Sequence, residues 1–441
     1  MTVEMIGAFE STYQPAYDVD VAESTRHIEH RETDLLLLRT CGVNRVRYPI
    51  RWHRVEPQPG VFDWKATDEL FEHMLEYGWS PIVDLVHHTS YPAWLKGGFA
   101  DPRFSAAYLG YVEAVMQRYP WVEEYTLFNE PFATLLLCGH EGIWPPYGRG
   151  MESFTKLLMN VLPAISKAGR LARDILPNAR HLHVDSCERH TGSGRPGIRY
   201  AAYANDRRFF VLDALLGRID DEGSAERPFV RDIVAHGGGA LLELPNTPVD
   251  VVGLDYYAHC QWHFGPSAGT APSPCPPALS ELIAEYAQRY QLPVWLGETN
   301  LRGYPSDRAT WLKYTLEQCE RALAAGIDLR GFCWFPFIDS CDWDSLLQRC
   351  EGNVDPVGVF SIGNDGRRHP STMSVSYARA AHGIPAKDLP AFRFEEPVAS
   401  WLTGWLPHMS HWEWQPAPRA EIRGTVPGDP VYEPLAVRMA G

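Results

Sequence analysis

Short runs of apolar, β-branched or aromatic residues alternate along the chain with longer stretches in which apolar residues recur every three or four positions. That is the pattern of strand and helix units following one another in turn. The short runs fall at residues 4–9, 43–49, 80–86, 122–128, 180–186, 249–256, 292–297 and 329–335, and predict eight strands. After the second run, FDWKATDELFEHMLEYG predicts a helix capped by Asp63, with Leu70, Phe71, Met74 and Leu75 on one face and Gly78 as its stop. After the seventh, SDRATWLKYTLEQCERALAAG predicts another that opens on Ser306 and closes on Gly326. Eight such repeats fit an α/β fold, a single (β/α)8 TIM barrel over residues 1–385, better than a doubly wound sheet.

Two stretches break the rhythm. The Pro-rich PSAGTAPSPCPPA (266–278) reads as a surface loop after the sixth strand. The segment 386–441 combines many prolines with Trp401, Trp405, Trp412 and Trp414. It is too aromatic for ordinary disorder and too irregular for a separate domain, so it is expected to pack on the barrel as an irregular C-terminal extension.

Composition narrows the possible partners. Basic residues number 40 against 55 acidic, a formal net charge of −15, which argues against nucleic acid or an anionic membrane surface and favours a neutral polar substrate. Nine cysteines without a CxxC pair suggest neither zinc ligation nor a disulfide framework. The opening MTVEMIGAFESTYQ has no basic, apolar signal pattern, and no run reaches the about 18 apolar residues of a membrane span. A soluble, cytoplasmic protein is the expectation; oligomeric state leaves no mark in the pattern.

Catalytic groups of such barrels sit at the C-terminal ends of the strands. The fourth strand ends in Asn129-Glu130-Pro131 and the seventh in Gly297-Glu298-Thr299, across the barrel mouth from one another. Either glutamate alone is equally well read as a helix cap or an arginine partner. As a pair they are what double displacement at a sugar requires: one carboxylate attacks the anomeric carbon, while the other protonates the leaving oxygen and later deprotonates water.

The surrounding motifs turn that expectation into a resemblance. RYPIRWHRVEP (47–57) is similar to R-x-S-x-x-W-x-R-x-x-P, HTSYPAWL (88–95) to H-x-D-L-P-x-W-L, and FNEP (128–131) to the T-x-N-E-P core of glycoside hydrolase family 1. GAFESTYQ (7–14) keeps that family's opening Gly and closing Gln, DVVGLDYY (250–257) resembles D-F-x-G-x-N-Y-Y, and DSCDW (339–343) resembles D-N-F-E-W. GHEGIWPP (139–146) and RRHPSTMS (367–374) look like its loop after the acid/base and its closing segment. Each motif is weak alone; their common order is specific.

The resemblance implies a retaining β-glycosidase with Glu130 as acid/base and Glu298 as nucleophile. It implies that Arg47 holds Glu298 ionised, that Tyr257 hydrogen-bonds the same carboxylate, and that Asn129 meets the sugar 2-hydroxyl. Gln14, His88 and Asp342 are expected on hydroxyls of the far side of the ring, with Trp334, Phe335 and Trp343 as aromatic surface. His88 fits the motif spacing better than His87, and strand alternation would let only one of them line the pocket. No metal or organic cofactor is implied.

The chain also departs from the family. Gly297 replaces a Thr, Thr299-Asn300 replace Asn-Gly, Asp255 replaces the Asn of N-Y-Y, Asp342 replaces a Glu, and Thr89 replaces a Trp. Phe335 stands where the family keeps its platform tryptophan, with Trp334 one residue off unless a bulge restores it. No Ser-x-Lys-Tyr cluster follows the eighth strand, and Asp342 would repel a phosphate, so a 6-phosphosugar is disfavoured. The leading expectation is therefore hydrolysis of β-D-glycosides of small molecules or oligosaccharides by a divergent member. A transglycosidase using the same site, a non-catalytic carbohydrate-binding barrel and an endo-acting glucanase or mannanase are the alternatives.

Overall fold

The computed structural model describes residues 3–219, 226–267, 269–394 and 402–416. Eight parallel strands close into a barrel: β1 (Met5–Ala8), β2 (Arg45–Pro49), β3 (Ser80–Asp84), β4 (Glu124–Thr126), β5 (Arg180–Ser186), β6 (Val251–Asp255), β7 (Val294–Glu298) and β8 (Leu329–Trp334). Each predicted run overlaps one of them, the seventh strand running one residue further to Glu298, and β1 pairs with both β2 and β8 to shut the ring. The sequence pattern overestimates several strands because their apolar flanks continue into the loops.

Side-chain alternation divides each strand between two cores. Ile6, Ala8, Ile82, Leu182, Val184, Val251, Trp295, Cys333 and Phe335 form the cluster inside the barrel. Val46, Val83, Val252, Leu254, Leu296, Phe332 and Trp334 belong instead to the larger cluster that contains the surrounding helices. Trp295 needs the space left by Gly253, where an added Cβ would come within 2.4 Å of its Nε1. Strict alternation would send Glu298 outward with Leu296, but the β7–β6 register shifts between these residues. Such an irregularity re-aims a side chain at the barrel rim.

The helix Lys65–Glu76 buries Leu70, Phe71 and Met74, and the Asp63 carboxylate accepts the Lys65 amide at 3.1 Å. Leu75 lies on its exposed side, since the apolar stripe is narrower than the sequence suggests. The helix after β7 spans Pro305–Ala324, starting on the proline rather than on a Ser306 cap. Proline suits that place because the first helical residues need no N–H donor.

The stretch 266–278 differs from its expected form. Thr270–Pro272 pairs antiparallel with Trp262–Phe264, which also pairs with Thr191–Gly192, so part of it is a small sheet. Within the segment 386–441, Trp405 packs against Trp311, Tyr314 and Tyr256, and the Trp412 Nε1 donates to Glu317 at 2.8 Å. Trp401 and residues 417–441 lie outside the described residues. All nine cysteines are free, and no helix among the described residues is long and apolar enough to cross a membrane.

Candidate active site

One guanidinium joins the C-terminal ends of four strands. Arg47 of β2, only 1% exposed, donates through Nη1 to Glu298 Oε1 at 2.6 Å and through Nη2 to Asp84 Oδ2 at 2.8 Å and Asn129 Oδ1 at 2.6 Å. Burial works against its charge, but the carboxylates of Asp84, Glu298 and Asp255 outweigh that penalty and raise its pKa further. Tyr257, beyond β6, donates its hydroxyl to Glu298 Oε2 at 2.7 Å. Both Glu298 oxygens therefore act as acceptors, as those of a carboxylate do.

Glu130 is held differently. It follows β4 with φ of 43° and directly precedes the helix Pro131–Gly139. Burial raises its pKa well above the usual carboxylate range, with the charges of Glu298 and Asp185 adding to the effect and Arg47 opposing it. A carboxyl kept protonated opposite an acceptor-only carboxylate can deliver a proton where the other supplies electrons.

His88 stands beside it, with Nε2 at 3.9 Å from Glu130 Oε2. Burial, then the nearby charges of His87 and Arg47, hold this imidazole well below its ordinary pKa, so it is neutral. The Thr134 hydroxyl donates to the Asn129 carbonyl at 3.2 Å and so accepts from His88 Nδ1 at 2.9 Å. That assigns the His88 proton to Nδ1 and leaves Nε2 to accept the Asn129 amide at 3.3 Å.

His87 is also inside, contrary to the expectation that only one histidine faces the pocket. Strand geometry ends at Asp84, and His88 adopts a φ of 49°, so alternation no longer separates them. Their rings are 4.7 Å apart. His87 Nδ1 lies 2.9 Å from Asp84 Oδ2, and its ring stacks on Phe335 at 5.2 Å. Burial would remove its proton, but Glu10 and Asp84 more than compensate and its pKa is raised.

The strand-eight aromatics follow alternation without a bulge. Phe335 points inward, beneath Arg47 and His87, whereas Trp334 points outward and donates Nε1 to the Val357 carbonyl at 2.9 Å. Trp334 therefore does not join the site residues it was expected to accompany. Trp343 does: its ring lies 5.4 Å from that of His88 and 5.8 Å from Trp144. Gln14 and Asp342 are brought to the same side, but their polar atoms meet backbone. Gln14 Nε2 donates to the Leu347 carbonyl at 3.3 Å, and the Asp342 oxygens accept the amides of Gly352 and Asn353 at 2.9 and 3.0 Å.

Asp255 and Gly297 are packed against one another. The Asp255 carboxyl is fully buried with no hydrogen-bond partner on either oxygen among the described residues, and a Cβ on Gly297 would come within 2.5 Å of its Oδ1. Gly297 has no positive φ, so what the glycine supplies is space rather than backbone freedom. Burial raises the Asp255 pKa well above the usual range, and the charges of Glu298 and Glu130 push it further.

Asp84, Thr134, Trp144 and Asp185 are site residues that motif reasoning passes over. Asp185 of β5 accepts the Phe132 amide at 3.0 Å, steadying the helix that follows Glu130, and burial pushes its pKa up to about 7 against its backbone hydrogen bonds. The signal available for Asp84 and Asp185 was an acidic residue near the C-terminal end of an apolar strand. Among the described residues no group of three or more His, Cys, Asp or Glu side chains is arranged to hold a metal ion.

Comparison with known proteins is consistent with this geometry. The family description "Glycosyl hydrolase family 1" matches residues 9–188. A bifunctional β-D-glucosidase/β-D-fucosidase of Bifidobacterium breve is 27% identical over 394 residues, covering 74% of this chain and 81% of its own. A β-glucosidase A of Thermotoga maritima is 20% identical over 72% of this chain and 78% of its own. Among solved structures, a Thermotoga maritima β-glucosidase in complex with glucoimidazole shares the fold with a TM-score of 0.69 at 18% identity, covering 86% of this chain and 97% of that one.

Proposed function

The chain belongs to glycosyl hydrolase family 1 and is a glycoside hydrolase, and from that premise we propose that it cleaves β-D-glycosides with retention of configuration. In this reading a Glu298 oxygen attacks the anomeric carbon as the glycosidic bond breaks, and Glu130 gives its proton to the departing oxygen. The aglycone leaves as an alcohol and the sugar stays esterified to Glu298. Water then attacks the anomeric carbon, Glu130 takes the water's proton, and the ester bond returns its electrons to Glu298.

The observation that carries this reading is the unequal treatment of the two glutamates. Glu298 accepts from Arg47 and Tyr257, while Glu130 lies in a setting that favours its protonated form. Arg47 and Tyr257 orient the nucleophile. Asn129, whose amide and carbonyl are fixed by His88 and Arg47, stands beside Glu130 as the group to meet the sugar 2-hydroxyl. Phe335 and Trp343 supply apolar surface, and Trp334 has no part in it.

A 2-deoxy-2-fluoro-β-glycoside with a good leaving group tests the proposal, because it slows breakdown of the ester more than its formation. Peptide mass mapping is expected to find the label on Glu298, and NMR of early product to find the β-anomer. An α-anomer, or a label on another residue, overturns it.

A further inference from the structure

The helix Pro305–Ala324, which follows β7, is buried along an unbroken run from Pro305 to Cys319. An outer helix of a barrel buries one face and leaves the other to water. Here the segments 386–394 and 402–416 cover the second face. Lys313 Nζ donates to the carbonyls of Lys387 and Leu389, both at 2.7 Å, and the Phe392 amide donates to Thr310 Oγ1 at 2.8 Å. Trp405, itself buried, meets three rings, with centroids 5.3 Å from Tyr314, 5.6 Å from Trp311 and 6.0 Å from Tyr256. The chain around it is anchored to the loop after β6: His408 Nε2 donates to the Pro276 carbonyl at 2.9 Å, and an added Cβ on Gly404 would run into the Ser273 carbonyl.

Two of those rings lead to Glu298. Tyr256 and Trp311 stack on one another at 6.1 Å in the cluster outside the strands. Trp311 Nε1 donates to Oγ1 of Thr299, the residue after Glu298, at 3.0 Å. The Tyr256 amide donates to the Glu298 carbonyl at 2.8 Å, and Tyr257, next in the chain, gives its hydroxyl to Glu298 Oε2. The Glu298 backbone and one of its carboxylate oxygens are therefore held through a stacked pair that Trp405 backs from outside. The strand pattern does not set their aim by itself, because the register of β7 against β6 shifts between Leu296 and Glu298. A misplacement of about 1 Å at a reacting group costs on the order of 10²-fold in rate, even when the change that causes it lies far from the chemistry.

We propose that Trp405 is a positioning residue for the nucleophile: by packing on Trp311 and Tyr256 it fixes the backbone at Glu298 and Thr299, and so sets the reach of the Glu298 carboxylate towards the anomeric carbon. The inference rests on the retaining-glycosidase reading and gives the C-terminal segment a part in the attacking step.

The test follows labelling of Glu298 in the full chain by excess 2,4-dinitrophenyl 2-deoxy-2-fluoro-β-D-glucoside. A concentration series separates the half-saturating concentration from the first-order rate constant, and intact mass gives the fraction of chains labelled. Trp405→Ala is expected to lower the rate constant about tenfold to a hundredfold at an unchanged half-saturating concentration. Loss of folded protein would instead lower the labelled fraction and leave the constant alone. Trp405→Phe keeps a ring against Trp311 and Tyr256 and is expected to recover most of the constant. Trp412→Phe loses the bond to Glu317 on the same helix, and is expected to lower the urea midpoint with the constant unchanged. Thr299→Val removes the acceptor of Trp311 Nε1 and is expected to slow labelling as well, so it carries the test if Trp405→Ala does not fold. An unchanged constant in Trp405→Ala, or in Thr299→Val where that variant stands in for it, overturns the proposal, as does an equal fall in Trp412→Phe. If the parent is labelled on Glu298 and the variants keep its rate constant, this inference alone fails; absence of both labelling and turnover in the parent removes the retaining reading and this inference with it.

Discussion

Residues 9–188, which match the family profile, and residues 250–343, beyond that match, each bring one glutamate to the same site, and they hold it in different ways. In the first region Arg47, Asn129, His88 and Thr134 are linked in a chain of hydrogen bonds beside Glu130. In the second, Glu298 depends on an arginine from the first region, one tyrosine, a register shift and a neighbouring carboxyl that has no partner. The lesson is that departures from a family pattern come in physically coupled sets. A Cβ at position 297 would crowd Asp255 Oδ1, and without a bulge Phe335 must take the inward position that Trp334 cannot reach.

The sharpest way to break the comparison is to remove each glutamate. Glu298→Ala is expected to lower kcat on the order of 10⁴-fold or more. Glu130→Ala should lose about 10² to 10⁴, and less with a 4-nitrophenyl leaving group, which needs little protonation. Azide distinguishes the two roles, giving the α-glycosyl azide with Glu298→Ala and the β-azide with Glu130→Ala. The same anomer from both variants would mean that the proposed roles are wrong.

Arg47 is the joint between the regions. Arg47→Met leaves Glu298 buried without its counter-charge and Asp84 with His87 alone, which costs about 3 to 5 kcal/mol. A urea-denaturation midpoint should record that loss together with a collapse in kcat/KM. Loss of activity at unchanged midpoint would show that Arg47 serves orientation alone.

The two strand-eight aromatics give a smaller and more selective contrast. Phe335→Ala removes the surface under Arg47 and His87, and should raise KM as well as destabilise by about 3 to 5 kcal/mol. Trp334→Phe loses mainly the bond to the Val357 carbonyl, about 1 kcal/mol, and should lower the melting temperature with KM unchanged. A rise in KM from Trp334→Phe would contradict the outward placement.

How legible all this was in the sequence follows from the range of each interaction. Strand positions and the two strand-end glutamates are local patterns, apolar runs that finish in a charged residue, and the motif spacings place Arg47, Asn129, His88 and Tyr257 beside them. Gln14 and Asp342 come to the same wall, but their hydrogen bonds go to residues 347, 352 and 353, and no spacing rule reveals that the loop folds back onto them. Leu75 and Trp334 were misread because the helix stripe is narrower than its apolar pattern and because strand parity was not followed to the end of β8. Asp185 was missed because its partner, the amide of Phe132, carries no side-chain signature.

The finest probe of the second region is Asp255→Asn, which installs the family's residue beside Gly297. Burial, and then the charges of Glu298 and Glu130, make the Asp255 carboxyl hold its proton more firmly in the folded chain than in the unfolded one. Its contribution to stability is therefore complete below the ordinary aspartate range near pH 4 and is lost as pH climbs through the raised folded value. Asparagine carries no such proton, so the variant should gain on the parent steadily from about pH 4 upwards, by more at pH 9 than at pH 5. The gap amounts to about 1.4 kcal/mol for each pH unit of the raised range that has been crossed. A gap that stays constant between pH 5 and 9 would mean that Asp255 titrates alike in both states. The Asp255–Gly297 pair would then be a matter of packing, and the second region would differ from the first in shape without differing in charge.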